Sequence, residues 1–551
     1  MPEHQSGAAL AAPTQRDLPA STSRRTRSVA QTAEQRHPDL FHALAHEAWQ
    51  REFDTLIARL DSLQHHKVAL ELARIVARVQ DGHTRLTLPL GPGIDFVQGH
   101  SPTPKPHLDA LQFHQYPLRL AIDARGVYVQ RAPAEHRSLL GAYVVRLGRL
   151  DIRDAIDAVS PLIHRDNGMQ VRHHLPMYLV LAEVLHARGV TETMETLRIA
   201  AERPDGSVVR ADMHVIRPGT AVDWVDARDD ATSPTPLYLQ HPERKFWFAH
   251  LGDQRAVYLQ FNEVYDEPDE RLRDFAQRLA TFLDEHEVDN LIVDLRHNRG
   301  GNQRLARPLL HAIVSSRVNH TGHLLALIGR TTFSAAMTFS LQLEKHTRVL
   351  FVGEPTGSTP NHYGDARKTR LPHTGLTLRV STRYWQHHPT DVRRWIAPHI
   401  PVEPTADDYQ HNRDPLVDTV LEMITARQEQ AGAHAAKSVD ARGRTGASGL
   451  WSGYTSPGEN SFALEISVGG PDTAPRVRVR LPALAVDTTG VQARLEEGAL
   501  HFEVRWQDEP VVFRGRVAGD WWVGEGDYGS VFFPFVLRRQ PPPVAAGRRS
   551  N

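Results

Sequence analysis

Two stretches of this chain place groups that could stabilise a developing negative charge beside groups that could attack. The apolar run Leu324-Leu325-Ala326-Leu327-Ile328-Gly329 leads into Thr331-Thr332-Phe333-Ser334-Ala335-Ala336, and Asn290-Leu291-Ile292-Val293-Asp294-Leu295-Arg296 leads into Asn298-Arg299-Gly300-Gly301-Asn302. Each reads as a strand, a sharp turn and a helix. Glycines let backbone N–H groups approach an anionic oxygen, and a hydroxyl at a helix N-terminus sits where the dipole favours negative charge. Ser334 is therefore a candidate nucleophile. The N–H groups of Gly300 or Gly301 and of Ala335 are candidates for an oxyanion hole, and Asn298 is placed to brace the glycine turn through side-chain bonds to backbone. The competing reading makes Ser334 a helix cap and the glycines a tight turn.

The elements that must position these groups follow from the apolar pattern. Residues 1–35 are polar, rich in Ser, Thr, Ala and Arg, and read as a disordered tail. Over 36–90, apolar residues at helical spacing predict a helical domain, leading through Asp81-Gly82-His83 into an alternating strand Thr84–Leu88. Gly82 is expected to supply the left-handed residue that stops the helix. Residues 91–245 mix strand and helix signals, with a helical insertion near 160–192. From 246 to 428 nearly all-apolar strands alternate with helices, the pattern of a sheet covered on both faces. Residues 429–448 read as a linker, 449–540 as short alternating strands of an antiparallel barrel or sandwich, and 541–551 as a tail.

Asp294-Leu295-Arg296-His297-Asn298-Arg299-Gly300-Gly301, then Ser334 within its turn, then Gly353-Glu354-Pro355-Thr356-Gly357, resembles the core of the C-terminal processing (tail-specific) serine peptidases. Asp81-Gly82-His83-Thr84 resembles the histidine motif of the tricorn-core branch, and the likeness spans about residues 36–425. It implies a multidomain α+β chain with a PDZ-like domain over 91–245 and a ClpP/crotonase-like α/β catalytic core. The C-terminal strands are similar to the lipocalin-like domains of some hydrolases. The resemblance further implies a serine-type peptidase acting on peptide or protein substrates, without metal or cofactor. The lysine that the better-known members use is missing: its turn reads Gly357-Ser358-Thr359-Pro360-Asn361, with Thr359 nearest its place. His83 takes over as base, since an imidazole with a pKa of about 6.5 suits that role at neutral pH; the bland alternative is a histidine favoured by a helix C-terminus. For the group that orients the imidazole, the resemblance to the tricorn-like branch implies an acid well after the serine, where Asp391 is nearest by position, with Glu354 and Glu403 as alternatives. Two rival readings remain: a non-catalytic binding protein on the same fold, and an esterase.

Composition excludes other chemistry. Among 551 residues, Lys+Arg 64 against Asp+Glu 65 gives a formal charge of −1, which calls for neither nucleic acid nor an anionic membrane. Zero cysteine removes disulfides, thiolate metal sites and a cysteine nucleophile. The 32 histidines invite a metal, yet His65-His66 and His387-His388 diverge on any regular element and read as solvated surface. Neither a signal-peptide core nor an 18-residue apolar run is readable, so a cytoplasmic protein without a membrane span is expected. Oligomeric state is left open.

Overall fold

The computed structural model describes residues 20–90, 112–371, 376–436, 447–455, 462–496, 498–507, 509–528 and 531–541. It is a mixed α and β, multidomain architecture with several separate sheets. The centre is a six-stranded sheet in the order Ile400–Pro401, Leu350–Gly353, Leu324–Ile328, Asn290–Asp294, Ala256–Phe261, Phe246–Leu251. All neighbours are parallel except the last pair. The four inner strands are buried at every residue, as strands covered on both faces must be. Helices Leu272–Glu285, Arg307–Val314 and Ala335–His346 cover one face. Helix Pro415–Ala436 covers the other, joined there by Trp521 and Val536 of the C-terminal strands.

Those C-terminal strands form a nine-stranded, wholly antiparallel and nearly closed barrel around Trp451, Trp522, Phe513 and Phe535. Before the central sheet lies a seven-stranded sheet built from residues 119–226, which shares one apolar core with helices His46–Ala58 and His65–Ala77. The short strand Arg85–Thr87 leaves that core to pair with Thr377–Val380. It thereby ties the helical region to the loop after the central sheet.

Three expectations are corrected. Within the predicted tail over 1–35, residues 1–19 lie outside those described, and from residue 20 a helix, Ala20–Arg36, packs on Thr26, Val29 and Ala33. Three small contacts at helical spacing are too faint a pattern to read through so polar a sequence. The predicted linker over 429–448 begins later, because the helix from Pro415 continues to Ala436; residues 437–446 lie outside those described. Gly82 does not stop a helix: Gln80 takes the left-handed conformation at φ 56.

Candidate active site

Ser334 stands where the strand Leu324–Ile328 ends and the helix Ala335–His346 begins. Its backbone lies at φ 57, ψ −120, a region costly for a side-chain-bearing residue, and its hydroxyl caps nothing in the helix. Instead Ser334 Oγ lies 3.0 Å from His83 Nε2, across 251 residues of chain. Capping therefore does not account for this serine. Nor does a helix end account for His83, since the preceding helix closes at Ala77.

The imidazole is held by elements from all over the fold. Its ring stacks on Phe333 at 4.4 Å between centroids. Asp81 Oδ1 accepts from the His83 backbone N–H at 2.8 Å, closing the turn, while Asp81 Oδ2 meets His37 Nε2 at 3.2 Å. The Gly82 N–H donates to Asp166 Oδ1 at 2.6 Å, and Ser358 Oγ donates to Asp166 Oδ2 at 2.6 Å. A β-carbon on Gly82 would lie 2.5 Å from Gln170 Oε1, so a larger residue here would push the Gln170 side chain aside. Asp166 thus joins the histidine turn to the loop that resembles the lysine turn, where Thr359 Oγ1 merely donates to the Asn361 carbonyl at 2.7 Å.

Burial, foremost, and then the cations nearby push His83 down to about 3, against the pull of Asp81, so its imidazole is neutral at neutral pH. Its Nδ1 is buried without a hydrogen-bond partner, and Asp81 Oδ1 lies 4.0 Å away. Burial raises Asp81, but the bond to His37 and the charge of His83 outweigh it and hold the carboxyl well below its usual range. Burial, with the charge of Asp81 behind it, pushes Asp166 up to about 7.

On the glycine side, Asn298 is fully buried. Its Nδ2 donates to the Phe261 carbonyl at 2.9 Å, and its Oδ1 accepts from the Gly300 N–H at 2.9 Å. The Gly300 N–H is therefore already spent. Among the described residues, neither the Gly301 nor the Ala335 N–H has an acceptor, which leaves those two for an incoming oxygen. Gly300 is pressed against the serine turn: at φ +94, a β-carbon on it would lie 2.7 Å from the Ala335 nitrogen.

The three acids favoured by position are engaged elsewhere. Both Asp391 oxygens bond Arg393, which also grips Glu344. Glu354 pairs with Arg330 at 2.5 Å, and Glu403 bridges Arg330 and Arg172. The acid beside the imidazole is Asp81, which sequence reasoning passed over although it stands two residues from His83. His37 and Asp166 were missed too, and no local signal tied either to the imidazole. Of the two histidine pairs, His65 and His388 are exposed as expected, while their neighbours are not. His66 is buried against His186, and His387 Nε2 meets Thr338 Oγ1 at 3.1 Å. Among the described residues, no cluster of His, Asp or Glu is arranged to hold a metal ion, and no helix is long and apolar enough to cross a membrane.

No family model and no curated protein matches the chain. Solved structures do. A serine-to-alanine mutant of CPAF aligns with a TM-score of 0.50 at 11% identity, covering 75% of this chain and 98% of that one. The photosystem II D1 C-terminal processing protease aligns at 0.35 and 12%, covering 73% of this chain and 99% of that one. The tricorn protease aligns at 0.35 and 13%, covering 74% of this chain and 37% of its own length. The chain has the fold of CPAF over three quarters of its length.

Proposed function

We propose that this chain is a serine-type peptidase that cleaves peptide bonds through an acyl-enzyme on Ser334, with His83 as general base and then general acid. The observation that carries the reading is the 3.0 Å approach of Ser334 Oγ to His83 Nε2, made by a serine at positive φ beside two unengaged N–H groups. Shared fold with CPAF supports the same class of reaction.

In this reading Ser334 Oγ attacks the scissile carbonyl as its proton passes to His83 Nε2. The oxyanion takes hydrogen bonds from the Ala335 and Gly301 N–H groups, worth several kcal/mol to a tetrahedral intermediate. His83 then protonates the leaving amine, and water, activated by the same nitrogen, releases the acid. A base depressed to about 3 gains strength as charge develops. Asp81 already favours its protonated form, and the forming oxyanion favours it further. Asp81, 4.0 Å from Nδ1, is one ring adjustment or one bridging water from orienting the imidazole, and it takes the part that position had assigned to Asp391. The sheet over 119–226 serves as the PDZ-like module of the family.

Ser334→Ala and His83→Ala should each lower kcat/KM on a peptide pool by about 10⁴-fold or more with the thermal transition retained. Each should also abolish labelling by a fluorophosphonate probe. Wild-type turnover in Ser334→Ala would end the proposal, and probe labelling with ester but no amide turnover would make the chain an esterase.

A further inference from the structure

The strand that follows His83 belongs to a three-stranded antiparallel sheet of Arg85–Thr87, Thr377–Val380 and Arg367–Arg370. Its registers set Arg85 opposite Arg379, and Arg379 opposite Lys368. Three cations therefore lie in a row across one face, while Leu86, Leu378 and Val380 turn to the other and are buried. Like charges directly opposite on neighbouring strands are destabilising. A sheet that served only as scaffold would interleave acids. These strands carry five Arg or Lys residues and no Asp or Glu, in a chain whose formal charge is −1.

Among the described residues the row is not neutralised from elsewhere: none of the three is in an ion pair, and Arg379 Nε is buried without a hydrogen-bond partner. Arg85 Nη1 reaches only the Gly82 carbonyl, at 3.2 Å. The carboxylate that Arg85 feels, Asp81, is already taken by His37 and the His83 backbone. Burial, and after it Arg379, push Arg85 down to about 10, the mark of a cation short of a counter-charge. Arg85 stands two residues after His83 and its guanidinium reaches the Gly82 carbonyl, so the row starts beside the reaction centre, and it ends at the exposed Lys368.

We propose that Arg85, Arg379 and Lys368 receive acidic side chains of the substrate, so that this peptidase selects segments with Asp or Glu close to the scissile bond. The inference rests on the peptidase reading above and adds the substrate class. Two strand spacings of about 4.8 Å make the row roughly 10 Å long. That is more than one carboxylate can span, which favours a run of acidic side chains over a lone chain terminus.

The test is fluorescence anisotropy on the Ser334→Ala protein, which binds without turnover. The probes are a labelled short peptide rich in Asp and Glu, its Asn and Gln counterpart, and both again with an amidated C-terminus. The acidic peptide should bind at least roughly tenfold tighter than its amide counterpart, whether or not its terminus is amidated. In an Arg379→Gln, Lys368→Gln background the two should fall within about twofold, and Arg379→Lys should keep the preference. Lys368→Gln alone, at an exposed site that tolerates change, should lose part of it. Equal affinities in the parent protein, or a preference that follows only the free C-terminus, would overturn the inference. A chain that hydrolyses peptides without this preference refutes the substrate class alone. One that binds acidic peptides but never cleaves refutes the peptidase alone.

Discussion

The two halves of the Ser334–His83 pair are held in opposite ways. Ser334 is placed by its own neighbourhood: a buried strand, a turn at positive φ, a helix, and the glycine turn of the adjacent parallel strand pressed against it. His83 is placed at long range. Asp81 with His37, Asp166 with Ser358, Phe333 under the ring, and Ser381 N–H donating to Thr84 Oγ1 at 2.9 Å each contribute a part. A nucleophile fixed by the chain's path fails abruptly when that path shifts. A base fixed by several separate contacts should degrade by steps.

The largest expected effect is on the serine side. Gly300→Ala would force a β-carbon to within 2.7 Å of the Ala335 nitrogen, backbone that cannot step aside, at a φ of +94 where side chains are strained. A fall in kcat/KM of about 10³-fold or more is expected, from displacement of both Ser334 and the Ala335 N–H. A mild loss would break the contrast, because it would mean the serine turn is adaptable. Next, Asp81→Asn should lower kcat/KM by about 10²-fold, less than in a tightly bonded triad because the gap to Nδ1 is 4.0 Å. His37→Gln should lower it less than Asp81→Asn, in keeping with graded support. Steady-state kinetics beside a thermal melt separates either from unfolding.

This asymmetry also decided what could be read from the chain. The serine and glycine turns announce themselves because strand, turn residue and helix are consecutive, so one window of sequence holds the whole device. The histidine side is written in pieces. Asp81-Gly82-His83 was visible as a motif, yet whether Asp81 or a distant acid served the imidazole depended on which acids the arginines had already claimed. Arg393 claims Asp391, and Arg330 claims Glu354. His37 was readable only as the point where helical periodicity begins, and Asp166 had no pattern at all. Among the folds, the all-apolar strands of the central sheet and the alternating strands of the barrel were plain. The helix Ala20–Arg36 was not, since Val29 and Ala33 are nearly its whole apolar face.

Acid should sharpen the contrast by acting on both activity and stability. Burial holds His83 and His174 down to about 3, and His66, His297, His362 and His399 down to about 4, against 6.5 in a free chain. Between those limits the unfolded chain binds more protons, so stability present at neutral pH is lost as pH falls from about 6.5 toward 4. Asp166, raised to about 7 from an ordinary 3.8, works the other way across that whole range and offsets part of the loss, and below it Asp81 adds a further loss as its carboxylate protonates. The net expectation is a Tm lower by roughly 10 °C or more at pH 5 than at pH 7. Meanwhile kcat/KM should show no inflection near 6.5, holding until the fold itself gives way. A titration of activity with a midpoint near 6.5 would mean that His83 is not the desolvated base described above.

The smallest effect belongs to the residue that position alone had favoured. Asp391 is buried and both its oxygens bond Arg393, whose guanidinium is shared with Glu344. Replacing it by Asn keeps the shape and one acceptor and leaves Arg393 a carboxylate partner in Glu344. The expected cost is about 1–2 kcal/mol of stability, seen as a lower melting temperature or urea midpoint. On kcat/KM the change should stay within about threefold, because the pair braces the loop beside the helix from Ala335 and never meets the imidazole. If Asp391→Asn instead costs as much activity as Asp81→Asn, then loop 388–394 moves toward His83 when substrate binds. The histidine side would in that case take its acid from a rearranged loop rather than from its own turn.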